Sequence, residues 1–170
     1  MNVRLIWITP EAEQLIVYMA RVSNPDNQDN PEIANLIRYC MRHGHWSIFE
    51  MANACVEIQT SRAISAQIIR HRSFAFQEFS QRYSTPKSHE PTTPTQQNGR
   101  QAATVIDDKF RIQVFERVET DNWERCKAAY DEAIAAGYSR ETARALLPMG
   151  AMTRLYMNGF IRSWIHYLNV

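Results

Sequence analysis

What this 170-residue chain has little of narrows its class first. It holds only three cysteines, Cys40, Cys55 and Cys126, far apart and with no Cys-x-x-Cys pair. That excludes a disulfide framework and a zinc knuckle and points to a reducing compartment, so a cytoplasmic protein is expected. No run approaches the roughly 18 apolar residues of a membrane span. The opening MNVRLIWITPEAEQ lacks both a long apolar core and a small-residue cleavage site, so neither a signal peptide nor a membrane partner is expected. An excess of one charge is also missing: 19 Lys and Arg against 18 Asp and Glu leave a formal charge of +1. Bulk electrostatics therefore leave no footprint for nucleic acid or an anionic membrane. There are no internal repeats.

What is present fits one globular domain covering 1–170. A 45% hydrophobic share is enough to fill a core. Val3 to Ile8 reads as a short strand stopped by Thr9-Pro10, a helix-starting pair, before a helix carrying Leu15, Tyr18, Met19 and Val22. Asn30-Pro31 opens a second helix whose Ile33, Leu36, Ile37, Cys40 and Met41 share a face, and Gly44 ends it. From Met51 to Thr60 the period changes to two, the mark of a half-buried strand. Ser61 caps a helix to about Arg72, and a strand-like QEFSQRYS follows. Pro86 to Asn98, with three prolines and no large apolar residue, reads as a surface loop. Helix resumes from Asp107 to Gly137, Ser139 caps a short helix ending at Leu147-Pro148, and a last helix is expected over Met152 to Asn169. The fold class is α+β (mixed α/β), a single domain of helices packed on a small sheet.

The densest polar stretch runs from Gln67 to Tyr83. Gln67, Arg70 and His71 fall at i, i+3 and i+4 and would share a helix face, with Arg72 beside them. Beyond the junction Glu78, Ser80 and Arg82 alternate, so an extended segment would point all three one way. Guanidinium groups grip phosphate oxygens bidentately, and a glutamate and a serine can read a ring's hydrogen-bonding edge. The pattern suits a phosphorylated planar ligand such as a nucleotide. The plainer reading is that the arginines are solvated or paired with nearby acids at a helix C-terminus. In the last helix Arg154, Asn158, Arg162, His166 and Asn169 trace a polar stripe, Arg144 precedes Leu146-Leu147-Pro148, and His43 and His45 stand two apart with too few further ligands for a metal.

Arg70-His71-Arg72, seven residues and then Ser80 resemble the RHR-x7-S signature of the flavin-dependent thymidylate synthases. Met19-Ala-Arg21-Val-Ser23, His45-x-Ser47-x-x-Glu50, Arg144-x-x-Leu-Pro148 and the helix around Arg162 resemble further segments of that family, in the same order. The resemblance implies reductive methylation of dUMP to dTMP, with methylenetetrahydrofolate as carbon donor, NADPH as reductant and FAD as cofactor. It also implies a homotetramer with active sites at subunit interfaces. Ser47, Arg70, His71, Arg72, Glu78, Arg162 and His166 would touch FAD. Gln67, Arg70, Glu78, Ser80, Gln81, Arg82 and Arg144 would hold dUMP, with Ser80 and Arg144 orienting or polarising it for catalysis. The three cysteines look structural, since the family's chemistry needs no enzyme thiol.

Two departures from the family pattern stand out. Phe160 occupies the place of an asparagine two residues before the last-helix arginine, and Asn158 would stand about 200° away around a helix. The family pattern also continues past this helix to an arginine that helps ionise the pyrimidine, whereas Val170 is the last residue here. One alternative is thus a relative that binds FAD or nucleotide without turnover. Another is a single-stranded nucleic-acid module with Phe74, Phe76 and Phe79 stacking on bases.

Overall fold

The computed structural model describes residues 1–169, so the expectation attached to Val170 lies outside the described residues. A four-stranded sheet has the order β1-β2-β6-β3, from β1 (Asn2–Ile8), β2 (Asn53–Ser61), β3 (Ala75–Glu78) and β6 (Met152–Phe160). A separate hairpin joins β4 (Thr95–Gln97) and β5 (Ala103–Val105). The helices are α1 (Ala12–Ala20), α2 (Ala34–Arg42), α3 (Arg62–Ile68), α4 (Lys109–Ala135), α5 (Arg140–Ala143) and α6 (Ile161–Leu168). The expected mixed α/β class is what is observed. Two compact units divide the chain, the first holding Met1, Gln59–Ile68 and Glu78–Arg154, the second Asn2–Ile58, Ile69–Gln77 and the chain from Leu155 on.

In the second unit the core gathers Ile16, Cys40, Phe49 and Ala52, with Leu36, Ile37, Trp46, Ile161 and Ile165 packed around it. The apolar face read for α2 is therefore the one that is used. Its start differs from the expectation: Asn30 and Glu32 act before it, with Asn30 Oδ1 accepting from Glu32 N at 2.9 Å and Glu32 Oε1 accepting from Asn35 N at 3.1 Å. Gly44 ends it at φ 70° as expected. Thr9 does not cap α1. Its backbone N–H donates to Asn53 O at 2.9 Å and its Oγ1 accepts from Asn53 N at 2.9 Å, so it splices β1 to β2, and Glu11 takes the left-handed cap position. β2 is covered on both faces, with Cys55 and Glu57 buried beside Ala54 and Ile58. It is a central strand rather than a half-buried one, because β1 and β6 flank it.

The expected last helix is instead a strand followed by a helix. Along β6 Thr153, Leu155, Met157 and Gly159 are buried while Arg154 and Phe160 are exposed, a period of two. Its apolar residues also fit helical spacing over so short a run, and periodicity alone does not separate the two. Pro86–Asn98 likewise holds more structure than a loop. Thr95–Gln97 pairs antiparallel with Ala103–Val105, and His89 bridges to Ala151. Both hairpin strands are exposed on every residue, so they carry no apolar alternation to read.

In the first unit Asp108 caps α4, its Oδ1 accepting from Phe110 N at 2.9 Å and Arg111 N at 3.1 Å. Ser139 caps α5, its Oγ accepting from Thr142 N at 3.2 Å. Tyr130, 1% exposed, anchors α4 and shares a 2.9 Å hydrogen bond with Thr85 Oγ1. Glu90 ties the end of β2 down: the Met1 ammonium lies 2.5 Å from Oε1, and Thr60 Oγ1 and Ser61 N donate to Oε2 at 2.8 and 2.6 Å. Burial pulls the Glu90 carboxyl upward, but the bonds from the ammonium, Thr60 and Ser61 outweigh it and hold it at about 2.

Two outcomes follow from this packing. A Cβ on Gly159 would stand 2.5 Å from Phe74 Cδ1, and the Phe74 ring is itself held by Trp164 at 4.7 Å and Tyr167 at 5.7 Å. Gly159→Ala should cost about 1–3 kcal/mol, seen as a lower urea midpoint, with partial recovery on adding Phe74→Leu. An unchanged midpoint would contradict the contact. Glu90→Gln should cost up to about 3 kcal/mol at neutral pH. The folded carboxyl lies below its ordinary 4.5, so the contribution is full above that pH and fades as pH falls towards 2. Unfolding curves of the two proteins should converge as pH falls through that window; a gap undiminished at pH 2 would refute the assignment.

Candidate functional site

The helix before the arginine run is shorter than expected. α3 ends at Ile68, leaving Gln67 exposed on its last turn and Arg70 on the turn beyond, so the shared face of Gln67, Arg70 and His71 does not form. The strand is shorter too: β3 stops at Glu78. Ser80 begins a turn in which its carbonyl accepts from Tyr83 N and Ser84 N, each at 3.1 Å, and its Oγ accepts from Arg82 N at 3.3 Å. The expected strand alternation of Glu78, Ser80 and Arg82 is therefore replaced by a strand end and a turn.

That turn still gathers the residues. In the first unit a cavity of about 320 Å³ is lined by Arg62, Glu78, Phe79, Ser80, Gln81, Arg82 and Arg144. Five of the expected nucleotide residues meet there, and Gln67 does not line it. Arg144 arrives from the turn Arg144–Leu146 after α5. It lies 3.6 Å from Glu141 Oε1, and Arg82 lies 4.0 Å from the same oxygen. All three groups are well exposed, so these ion pairs are weak. One surface carboxylate thus sits between two guanidiniums in the way an anionic ligand would, and is easily exchanged for one.

Glu78 is fixed much more firmly. Arg62 Nη1 lies 2.6 Å from its Oε1, and Ser65 Oγ and Thr153 Oγ1 donate to that oxygen at 2.6 and 2.9 Å. Ser65 and Thr153 are 0% and 4% exposed. Sequence reasoning missed all three partners. One signal was available for Arg62: it opens α3, where the helix dipole disfavours a cation, so it calls for a carboxylate partner.

The second unit holds Ser47, Arg70, His71, Arg72, Arg162 and His166. Ser47 is exposed on the 3-10 turn Trp46–Glu50. Arg162 on α6 pairs with Glu50 Oε1 at 2.5 Å, and the His166 ring lies 4.7 Å from that of Trp46. His71 meets Tyr167 edge to face at 4.8 Å. Arg70 and Arg72 are exposed, and neither makes an ion pair among the described residues. The last-helix stripe is corrected: Arg154 and Asn158 lie on β6, apart from Arg162 and His166 on α6. The helical-angle argument against Asn158 falls with that helix, since on a strand Asn158 and Phe160 share a face. Asn158 Oδ1 is buried with no hydrogen-bond partner among the described residues.

Three further readings meet the structure here. Phe74 is 9% exposed beneath Trp164 and Tyr167, so it is core and offers no stacking surface. Cys40 and Cys55 are buried, and burial pushes both thiols upward, away from nucleophilic thiolate. The rings of His43 and His45 lie 6.2 Å apart, with Tyr39 4.3 Å from His43. No helix of the described residues is long and apolar enough to cross a membrane.

Comparison with known proteins adds independent findings. The family model described as "Thymidylate synthase complementing protein" (Thy1) matches residues 4–170. A flavin-dependent thymidylate synthase of Synechocystis sp. is 45% identical over 182 aligned residues, covering 100% of this chain and 84% of the relative. A probable flavin-dependent thymidylate synthase of Paramecium bursaria Chlorella virus 1 is 43% identical, covering 94% and 76%. Among solved structures, the UMP/dUMP methylase PolB of Streptomyces cacaoi, bound with 5-Br dUMP, superposes with a TM-score of 0.85 at 27% identity, covering 99% of this chain and 76% of that one.

Proposed function

From the premise that the chain belongs to the thymidylate synthase complementing protein family, the flavin-dependent thymidylate synthases, we propose that it converts dUMP to dTMP by reductive methylation. Methylenetetrahydrofolate supplies the carbon and NADPH the electrons. The observation that carries the substrate assignment is the cavity of Glu78, Ser80, Gln81, Arg82 and Arg144, two of whose lining guanidiniums share the exchangeable Glu141 carboxylate.

In this reading the dUMP phosphate displaces Glu141 and is held by Arg82 and Arg144, which stay charged at any working pH. Ser80 Oγ already accepts from Arg82 N, which leaves its hydroxyl proton to donate to a substrate oxygen. Ser80 therefore orients and polarises dUMP rather than attacking it, and Arg144 shares that work. Glu78, fixed through Oε1, presents its other oxygen to the nucleotide. Gln67, on the last turn of α3, is the first unit's remaining candidate for the nucleotide.

The second unit fits a flavin dinucleotide. Among the described residues Arg70 and Arg72 carry no ion pair, Tyr167 and Trp164 form a ring cluster with centroids 6.1 Å apart, and the buried Asn158 Oδ1 still needs a donor. Ser47, Arg70, His71, Arg72, Arg162 and His166 would hold FAD. When bound, FAD supplies the hydride chemistry that no side chain can perform. Self-association into a tetramer is supported by β1, an edge strand with Val3, Leu5, Ile6, Trp7 and Ile8 all exposed. The cysteines, all free, support a cytoplasmic setting.

The test is direct. Purified protein should be yellow, and dUMP should perturb its flavin absorbance. Arg82→Ala should weaken dUMP binding about tenfold or more, about 1.4 kcal/mol, while FAD affinity changes little. A colourless protein that takes up no FAD and binds single-stranded DNA in a salt-dependent way would overturn the reading. Equal losses of dUMP and FAD would overturn the phosphate assignment.

A further inference from the structure

We propose that Arg62 is a positioning residue for the nucleotide, acting through Glu78, with Ser65 and Thr153 as its co-anchors. The proposal rests on the nucleotide reading of the cleft and names a residue that none of the motifs contains.

The geometry is asymmetric. Arg62 Nη1, Ser65 Oγ and Thr153 Oγ1 all engage Glu78 Oε1, at 2.6, 2.6 and 2.9 Å. That saturates one oxygen, and Oε2 accepts no hydrogen bond among the described residues. A carboxylate held by one edge has a fixed rotamer, so its free oxygen meets a ligand without first being ordered. Glu90 shows the contrast, since its partners engage both oxygens and leave a closed structural joint. The three anchors of Glu78 come from the start of α3, its next turn and β6, and the two hydroxyls are buried. Arg62 also borders the cleft, where it could in principle contact phosphate directly. Arg144 makes no ion pair with Glu78 among the described residues; its partner is Glu141.

Coupling separates the two roles of Arg62. dUMP is titrated calorimetrically into the flavin-loaded full chain: wild type, Arg62→Met, Glu78→Gln and the double variant. Each single change should weaken dUMP about tenfold, and the double variant should be no more than about threefold worse than the weaker single. Arg62→Lys should restore much of the loss. Arg144→Met combined with Glu78→Gln should instead multiply. Deoxyuridine, which lacks the phosphate, should lose as much affinity on Arg62→Met as dUMP does. Multiplying losses for Arg62 and Glu78, or a loss confined to dUMP, would overturn the proposal while leaving the nucleotide reading intact. Wild-type protein that binds no dUMP would overturn that reading and the proposal with it. Should Arg62→Met fail to fold, Ser65→Ala replaces it in the same cycle, with the same expected non-additivity and the same refuting result.

Discussion

A carboxylate largely withdrawn from water must be paired, and that constraint on Glu78 organises the first unit around its cleft. The Glu78 side chain is 19% exposed, and the Arg62 guanidinium is its ionic partner. Adding Ser65 and Thr153 fixes where the start of α3, the end of β3 and the start of β6 must meet. Loss of any one anchor would leave part of a buried charge unmatched, which costs more than the bond itself contributes. The turn that carries Ser80, Gln81 and Arg82 leaves from this fixed point, so the cleft's polar groups inherit its position.

The electrostatics are local rather than global. A formal charge of +1 conceals guanidiniums at Arg62, Arg82 and Arg144 around one cavity, with Glu78 firmly bound and Glu141 loosely shared. Firm pairing creates a shaped, charged wall, and loose pairing leaves cations that an anion can claim. In the second unit Arg162 pairs with Glu50, while Arg70 and Arg72 hold no ion pair among the described residues.

Much of this was legible in the chain. Glu78, Ser80, Gln81, Arg82 and Arg144 were all named from spacing and family motifs, and they meet in one cavity. The route was misread: a strand alternation was expected where a turn brings them together, since QEFSQRYS reads the same for two extended residues as for eight. β6 passed for helix because its apolar residues suit both periods over nine residues. The β4–β5 hairpin was invisible because it buries no face. Arg62, Ser65 and Thr153 were missed for another reason. Ser65 and Thr153 stand 13 and 75 residues from Glu78, and no local pattern encodes so distant a hydrogen bond.

The central claim is that the Glu78–Arg82 turn and Arg144 form the nucleotide site. Amide hydrogen exchange on the flavin-loaded chain, with and without dUMP, tests it most directly. dUMP should slow exchange across Glu78–Arg82 and around Arg144 while leaving the outer face of α4 unchanged. Protection confined to other segments, or none at a saturating dUMP concentration, would contradict it.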